Sequence, residues 1–151
     1  MTVNLIRSGG QTGADRAALD AALALGIPCT GWCPAGRRAE DGVIPSIYPL
    51  QETPSRAYAQ RTAWNVRDSE GTLVLSPGPP AGGTAWTVRL ARRLSKPLLV
   101  IDPRSPESAE EIRFWLNLNN IRKLNVAGPR EGESPGIYEL TLKLLKEVCL
   151  G

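Results

Sequence analysis

Ser8-Gly9-Gly10-Gln11-Thr12-Gly13-Ala14-Asp15 combines three glycines, two hydroxyls, an amide and a carboxylate within eight residues. The segment lies between the apolar run Val3 to Ile6 and an alanine-rich stretch from Arg16 to Leu25, where a strand hands over to a helix. Such a junction leaves backbone N–H groups without helical partners, and the helix dipole adds about half a positive charge there. The chemistry this predicts is capture of an anion, through a cradle formed by Gly9, Gly10, Gln11, Thr12 and Gly13 with Asp15 beside it. Two further segments carry related features. In Ser76 to Thr84, SPGPPAGGT, Gly82 and Gly83 would admit a ligand closely, and Thr84 either caps a helix or donates its hydroxyl. Gly128-Pro129-Arg130-Glu131 adds a guanidinium, the group that grips oxyanions bidentately. Arg37 and Arg38, within PAGRRAEDG, would bring two cations on a loop above such a site. Glu40 and Asp41 beside them form a charged turn, with the option of holding a hydrated Mg2+ against phosphate.

Composition narrows the chemistry. The chain has no histidine, which removes the commonest general base, the Ser-His and Cys-His nucleophile pairs and the commonest metal ligand. Three cysteines, an odd number, argue against a disulfide framework, and Cys29, Cys33 and Cys149 lack the companions of a zinc site. A net charge of +3 with 5% aromatic residues lacks the dense basic stripe of a nucleic-acid groove. No apolar run approaches the roughly 18 residues of a membrane span, and a signal peptide's basic and apolar segments are missing from the N-terminus. A cytoplasmic protein with a small anionic ligand is expected.

The elements that must position these residues alternate. Apolar runs at Val3 to Ile6, Ile27 to Trp32, Thr72 to Leu75, Pro97 to Ile101 and Lys123 to Ala127 predict buried parallel strands. Helical patterns occupy Ala14 to Leu25, Ser55 to Arg67, Thr84 to Leu94, Pro106 to Asn117 and Pro135 to Val148. Length and alternation predict one α/β domain over residues 1–151, a doubly wound sheet of five mainly parallel strands with helices on both faces. Residues 33–54 form a long Pro/Gly-containing connection, expected to be a functional or disordered loop. In an open α/β sheet ligands bind outside the carboxyl ends of the strands, where the three glycine-bearing segments fall. Trp32, Trp64, Trp86 and Trp115 are expected in core or interface, with Trp32 and Trp86 near enough to these segments to stack on a planar ring.

Several of these strings together resemble a known family. Ser8 to Asp15, the segment GWCPAGRRAEDG from Gly31 to Gly42, Tyr48-Pro49-Leu50, Arg61-Thr62 with Asn65-Val66, Gly82-Gly83-Thr84, Leu124 to Glu131 and Pro135-Gly136-Ile137-Tyr138 look like the bacterial molybdenum carrier (molybdenum cofactor carrier-like) family. That family sits in the Rossmann-like superfamily of the LOG-type phosphoribohydrolases, formerly called lysine decarboxylase-like. The resemblance implies a homo-oligomer, dimer or tetramer, that holds molybdenum cofactor, molybdate or a related phosphorylated ligand, with molybdoenzymes as recipients. The alternatives are a hydrolase acting on a nucleotide's N-glycosidic bond, with Asp15, Glu40, Asp41 or Glu131 as the carboxylate, and a nucleotide-sensing module. LOG-type enzymes carry P-G-G-x-G-T-x-x-E; here the position three after Thr84 is Thr87. Threonine cannot serve as a carboxylate acid or stabilise an oxocarbenium-like centre. No appreciable release of free base from nucleoside monophosphates is therefore predicted, to be checked by chromatography of long incubations.

Overall fold

Apolar runs flanked by turn residues become strands because a parallel sheet buries both of its faces under helices. The computed structural model describes residues 3–150. Strand β1 (Leu5–Arg7) leads into α1 (Ala14–Leu25), which returns to β2 (Cys29–Thr30). Four two-residue strands follow: β3 (Trp32–Cys33), β4 (Arg38–Ala39), β5 (Gly42–Val43) and β6 (Gln51–Glu52). Then come α2 (Tyr58–Arg67), β7 (Gly71–Leu75), α3 (Gly82–Arg93), β8 (Leu98–Ile101), α4 (Ser108–Leu118), β9 (Lys123–Ala127) and α5 (Ile137–Leu150).

The central sheet has the order β2-β1-β9-β7-β8, and every pair is parallel. Helices α1, α4 and α5 contribute Ala18, Ile112, Leu144 and their neighbours to one large apolar cluster with Ile6, Leu73 and Val126 of the strands. Val66 of α2 and Leu90 and Ala91 of α3 form a second, with Leu98 against it. This is the α/β arrangement that the alternating pattern predicts and the Rossmann-like one that the family resemblance implies. Helix α1 packs through methyl groups: Ala14, Ala17, Ala18, Ala21 and Ala22 are all fully buried. Leu19 is buried as well, while Leu23, one turn on, is half exposed. Among the described residues no helix is long and apolar enough to cross a membrane.

The structure departs from expectation in the second strand and in the connection after it. The run Ile27 to Trp32 divides at Gly31, whose φ of 151° turns the chain where a Cβ would run into the Ser8 carbonyl. The connection is ordered rather than loose. β3 pairs in parallel with β6, and β4 pairs antiparallel with β5. Cys33, Ile44 and Tyr48 bury themselves against Leu19 of α1. Arg37 is folded inward: its guanidinium donates to the carbonyls of Ile44 (3.1 Å), Pro45 (2.8 Å), Tyr48 (3.0 Å) and Leu50 (3.3 Å). One cation thus satisfies four main-chain acceptors that regular structure would otherwise have to pair. Replacing Arg37 by alanine should cost about 2 to 3 kcal/mol and speed hydrogen exchange at Ile44 and Leu50 while sparing β7. Denaturant unfolding and exchange mass spectrometry check both.

Candidate ligand pocket

Because β9 pairs with β1 on one side and β7 on the other, the carboxyl ends of these three strands lie side by side. From β1 the chain moves outward to β2, and from β7 it moves outward the other way to β8. This is the reversal of strand order at which open α/β sheets form crevices. A pocket of about 380 Å³ opens there, a volume suited to a small ligand. Gly9, Gln11, Asp15, Gly82, Gly83, Thr84, Gly128 and Arg130 line it, and Gly10, Thr12, Gly13, Arg37, Arg38 and Glu131 do not.

The loop after β1 is largely engaged by the protein itself. Arg61 Nη1 donates to the Gly9 carbonyl at 2.8 Å and lies 3.5 Å from Asp15 Oδ2. A Cβ on Gly9 would collide with that guanidinium. Gly10 has φ 78°, and its Cβ would meet Leu50 Cδ1 at 2.5 Å, so this glycine serves the contact with residues 33–54. Arg16 donates to the Gly10 carbonyl and pairs with Asp41 at 2.9 Å. Gln11 Oε1 accepts from the Thr12 and Glu40 N–H groups. Thr12 donates its hydroxyl to the Glu40 carboxylate and accepts from the Glu131 N–H. Glu40 also accepts from the Gly132 N–H at 2.8 Å, and these two bonds hold its carboxyl below the usual carboxylate range. At Gly13 a Cβ would press on the Pro129 carbonyl, which accepts the N–H of Ala14. The helix terminus expected to meet an external anion therefore meets the chain's own carbonyl.

The cations and acids divide in the same way. Arg37 is turned into its own loop, away from the pocket. Arg38 stands 5.1 Å from the centre of the Tyr58 ring and donates to the Arg56 carbonyl. Glu131 accepts from the N–H groups of Gly136 and Tyr138 at the start of α5, where a carboxylate suits the helix dipole. Arg130 does line the pocket, but it is already partnered, 3.3 Å from Glu133 and 3.5 Å from Glu40. Glu40 and Asp41 are each held by protein groups, and among the described residues no group of three or more His, Cys, Asp or Glu converges as a metal site. Cys29, Cys33 and Cys149 are free thiols, each pushed up by burial.

The opposite wall is open. Helix α3 begins at Gly82, two residues before the expected start, with no side chain capping it. Thr84 and Ala85 donate to the Ala81 carbonyl, while the N–H groups of Gly82 and Gly83 have no partner among the described residues. A Cβ on Gly83 would meet nothing within 4 Å. Thr84 is buried at this edge, and Thr87, one turn on, donates to the Gly83 carbonyl at 3.1 Å.

Trp86, expected near these segments, lines the pocket; Asn125 does too, having entered through the family resemblance, and Tyr58 and Glu133, which sequence reasoning did not single out, complete this part of the wall. Arg61, Thr62 and Asn65 entered only through the family resemblance, since nothing in the spacing brings α2 to this edge. Trp32 lies elsewhere, donating to Asp68 at 2.8 Å and meeting Trp64 edge to face at 4.8 Å. Trp115 is in the core.

Residues 6–149 match the circularly permutated YpsA SLOG family. The chain belongs to that family. A crystal structure of a "putative molybdenum carrier protein" from Syntrophus aciditrophicus SB is similar to this SLOG chain, with 48% identity over 99% of this chain and 96% of that one and a TM-score of 0.96. No curated protein matches.

Asp15 is the most perturbed group in this SLOG pocket. Burial pushes its carboxyl up to about 6, against the opposing pull of Arg61, the Gln11 main chain and Arg16. A folded value above the unfolded value of about 4 means that the native state favours the proton. The stability this supplies is full below about pH 4 and lost as pH rises through about 6. Relative to Asp15→Asn, the protein should lose about 2 to 3 kcal/mol between pH 4 and pH 7. Paired denaturant titrations across that range check the sign and size.

Proposed function

We propose that this chain is a carrier that holds a phosphorylated ligand in the pocket at the carboxyl edge of the sheet, with molybdenum cofactor as its cargo. The observation that carries the reading is the start of α3. Gly82 and Gly83 offer two unpaired N–H groups at a helix N-terminus, with open space where a Cβ on Gly83 would stand, and Thr84 adds a hydroxyl. Phosphate or a similar oxyanion is the group that satisfies all three. Its negative charge is matched by the dipole of α3, and Arg130 and Arg61 lie on the same pocket. The name of the Syntrophus protein supports molybdenum-related cargo over other phosphorylated compounds. Release to molybdoenzymes, assembly as a homo-oligomer and residence in the cytoplasm complete the reading.

Hydrolysis of an N-glycosidic bond is the competing activity. Of the carboxylates expected for it, Asp15 lines the pocket, whereas Glu40, Asp41 and Glu131 do not. Turnover of a nucleoside monophosphate that vanishes in Asp15→Asn would replace the carrier by an enzyme.

Gly83→Ala separates binding from folding. Alanine favours a helix over glycine by up to about 1 kcal/mol, so the variant should be at least as stable as the parent. Its methyl group should nevertheless obstruct the anion and weaken binding at least tenfold in a calorimetric titration with molybdenum cofactor or inorganic phosphate. Thr84→Val should weaken binding by about 1 to 3 kcal/mol. Arg130→Ala should cost less, about 1 kcal/mol, because that guanidinium is shared with two carboxylates and partly exposed. Unchanged affinity in both Gly83→Ala and Thr84→Val would remove the phosphate subsite.

A further inference from the structure

The pocket that the proposed function assigns to a phosphorylated ligand has two unlike ends. Gly82, Gly83 and Thr84 offer donors at one, with the Glu133 carboxylate nearby, whereas Asp15 and Asn125 offer acceptors at the other, beside the Arg61 guanidinium. Asp15 is 7% exposed and lines the pocket. An ionised carboxylate has about four acceptor positions, and Asp15 fills few of them. Arg61 gives its short bond to the Gly9 carbonyl, at 2.8 Å, and stands off from Asp15 at 3.5 Å. Asn125 is 3% exposed and gives one Nδ2 hydrogen to Thr72 Oγ1 at 3.3 Å, and its amide oxygen stands as an acceptor for a ligand. Asn65 is fixed in place with both ends of its amide on the main chain of Trp32, at 2.8 and 2.9 Å. A ligand that fills the open acceptor positions of Asp15 brings adjacent N–H groups.

We propose that Asp15 is the residue that selects the ligand, accepting two hydrogen bonds from a neutral heterocycle edge that places a ring N–H beside an exocyclic amine. Pterins and guanine share that edge, while adenine and hypoxanthine lack it. A carboxylate meets the two donors in parallel, and a site built for such donors leaves its buried acceptor unpaired when they are missing. The inference rests on the carrier reading for the phosphate at the other end of the pocket. It also names what lies between the ends: a compact phosphorylated heterocycle, pterin or guanine nucleotide.

The test is a calorimetric titration of the full chain with GMP, IMP, AMP, a pterin bearing a phosphorylated side chain, and the unphosphorylated pterin and guanosine. GMP and IMP differ by the exocyclic amine alone, so their comparison needs no variant. GMP or the pterin phosphate should bind at least tenfold more tightly than IMP and AMP. Asp15→Asn, with its fold verified by near-UV circular dichroism, should abolish that preference. The stronger of the guanine and pterin series identifies the source of the edge. Equal affinity for GMP, IMP, AMP and the pterin phosphate, or a preference that survives in Asp15→Asn, would overturn the inference, as would failure of every pterin and guanine compound to bind. Failure of the phosphate reading looks different: unphosphorylated pterin or guanosine would then bind as well as its phosphate, and Gly83→Ala would have no effect, while the Asp15 preference persisted.

Discussion

The insertion of β9 between β1 and β7 is the constraint on which the other features rest. A strand in the middle of a parallel sheet must be bonded along both edges, and β9 meets Ile6 through Leu124 and Leu73 through Val126. Its position forces the outward crossings of α1 and α3 in opposite directions and brings three loops to one crevice. The pocket is a product of strand order before it is a product of any side chain.

Two glycine-rich loops of similar composition do opposite work at that crevice. The loop after β1 is occupied from within: Arg61 and Arg16 bind its carbonyls, and Gln11, Thr12 and Glu40 tie it to neighbouring segments. The start of α3 is bound by nothing comparable, and its first N–H groups face the pocket without partners among the described residues. Rigid on one wall and unsatisfied on the other, the site combines a fixed shape with an unmet demand for negative charge. Arg61, packed where Gly9 has no side chain, also lies beside Asp15, and its charge pulls against the upward push of burial on that carboxyl.

Much of this was readable in the sequence where the signal is local. Five strands and five helices follow from periodicity and turn residues, because burial on both faces of a parallel sheet writes an apolar run that nothing else explains. The SLOG relationship was visible through short strings that keep their order along the chain. What escaped was decided by distant partners. Arg37 reads as a free cation until the carbonyls of Ile44, Pro45, Tyr48 and Leu50 are gathered around it. Glu131 reads as a ligand residue until α5 begins just where its carboxylate can reach. Asp15 finds its charged neighbour only because Arg61, 46 residues later, returns to within 3.5 Å of it. Gly9 and Gly10 look alike in sequence, but one faces a guanidinium and the other a leucine.

The five buried alanines of α1 carry a different kind of consequence. A helix seated by methyl groups rests at a distance set by hard contact and not by any attraction that salt or pH could tune. Ala14 touches the position where a Cβ on Gly128 would stand, so this spacing continues into the pocket itself. Such a seam tolerates no enlargement: one added methylene would lever the helix outward and carry the whole β1 loop with it. Variation along α1 is therefore confined in size on its inner side. The site's dimensions are inherited from the smallest side chains in the molecule.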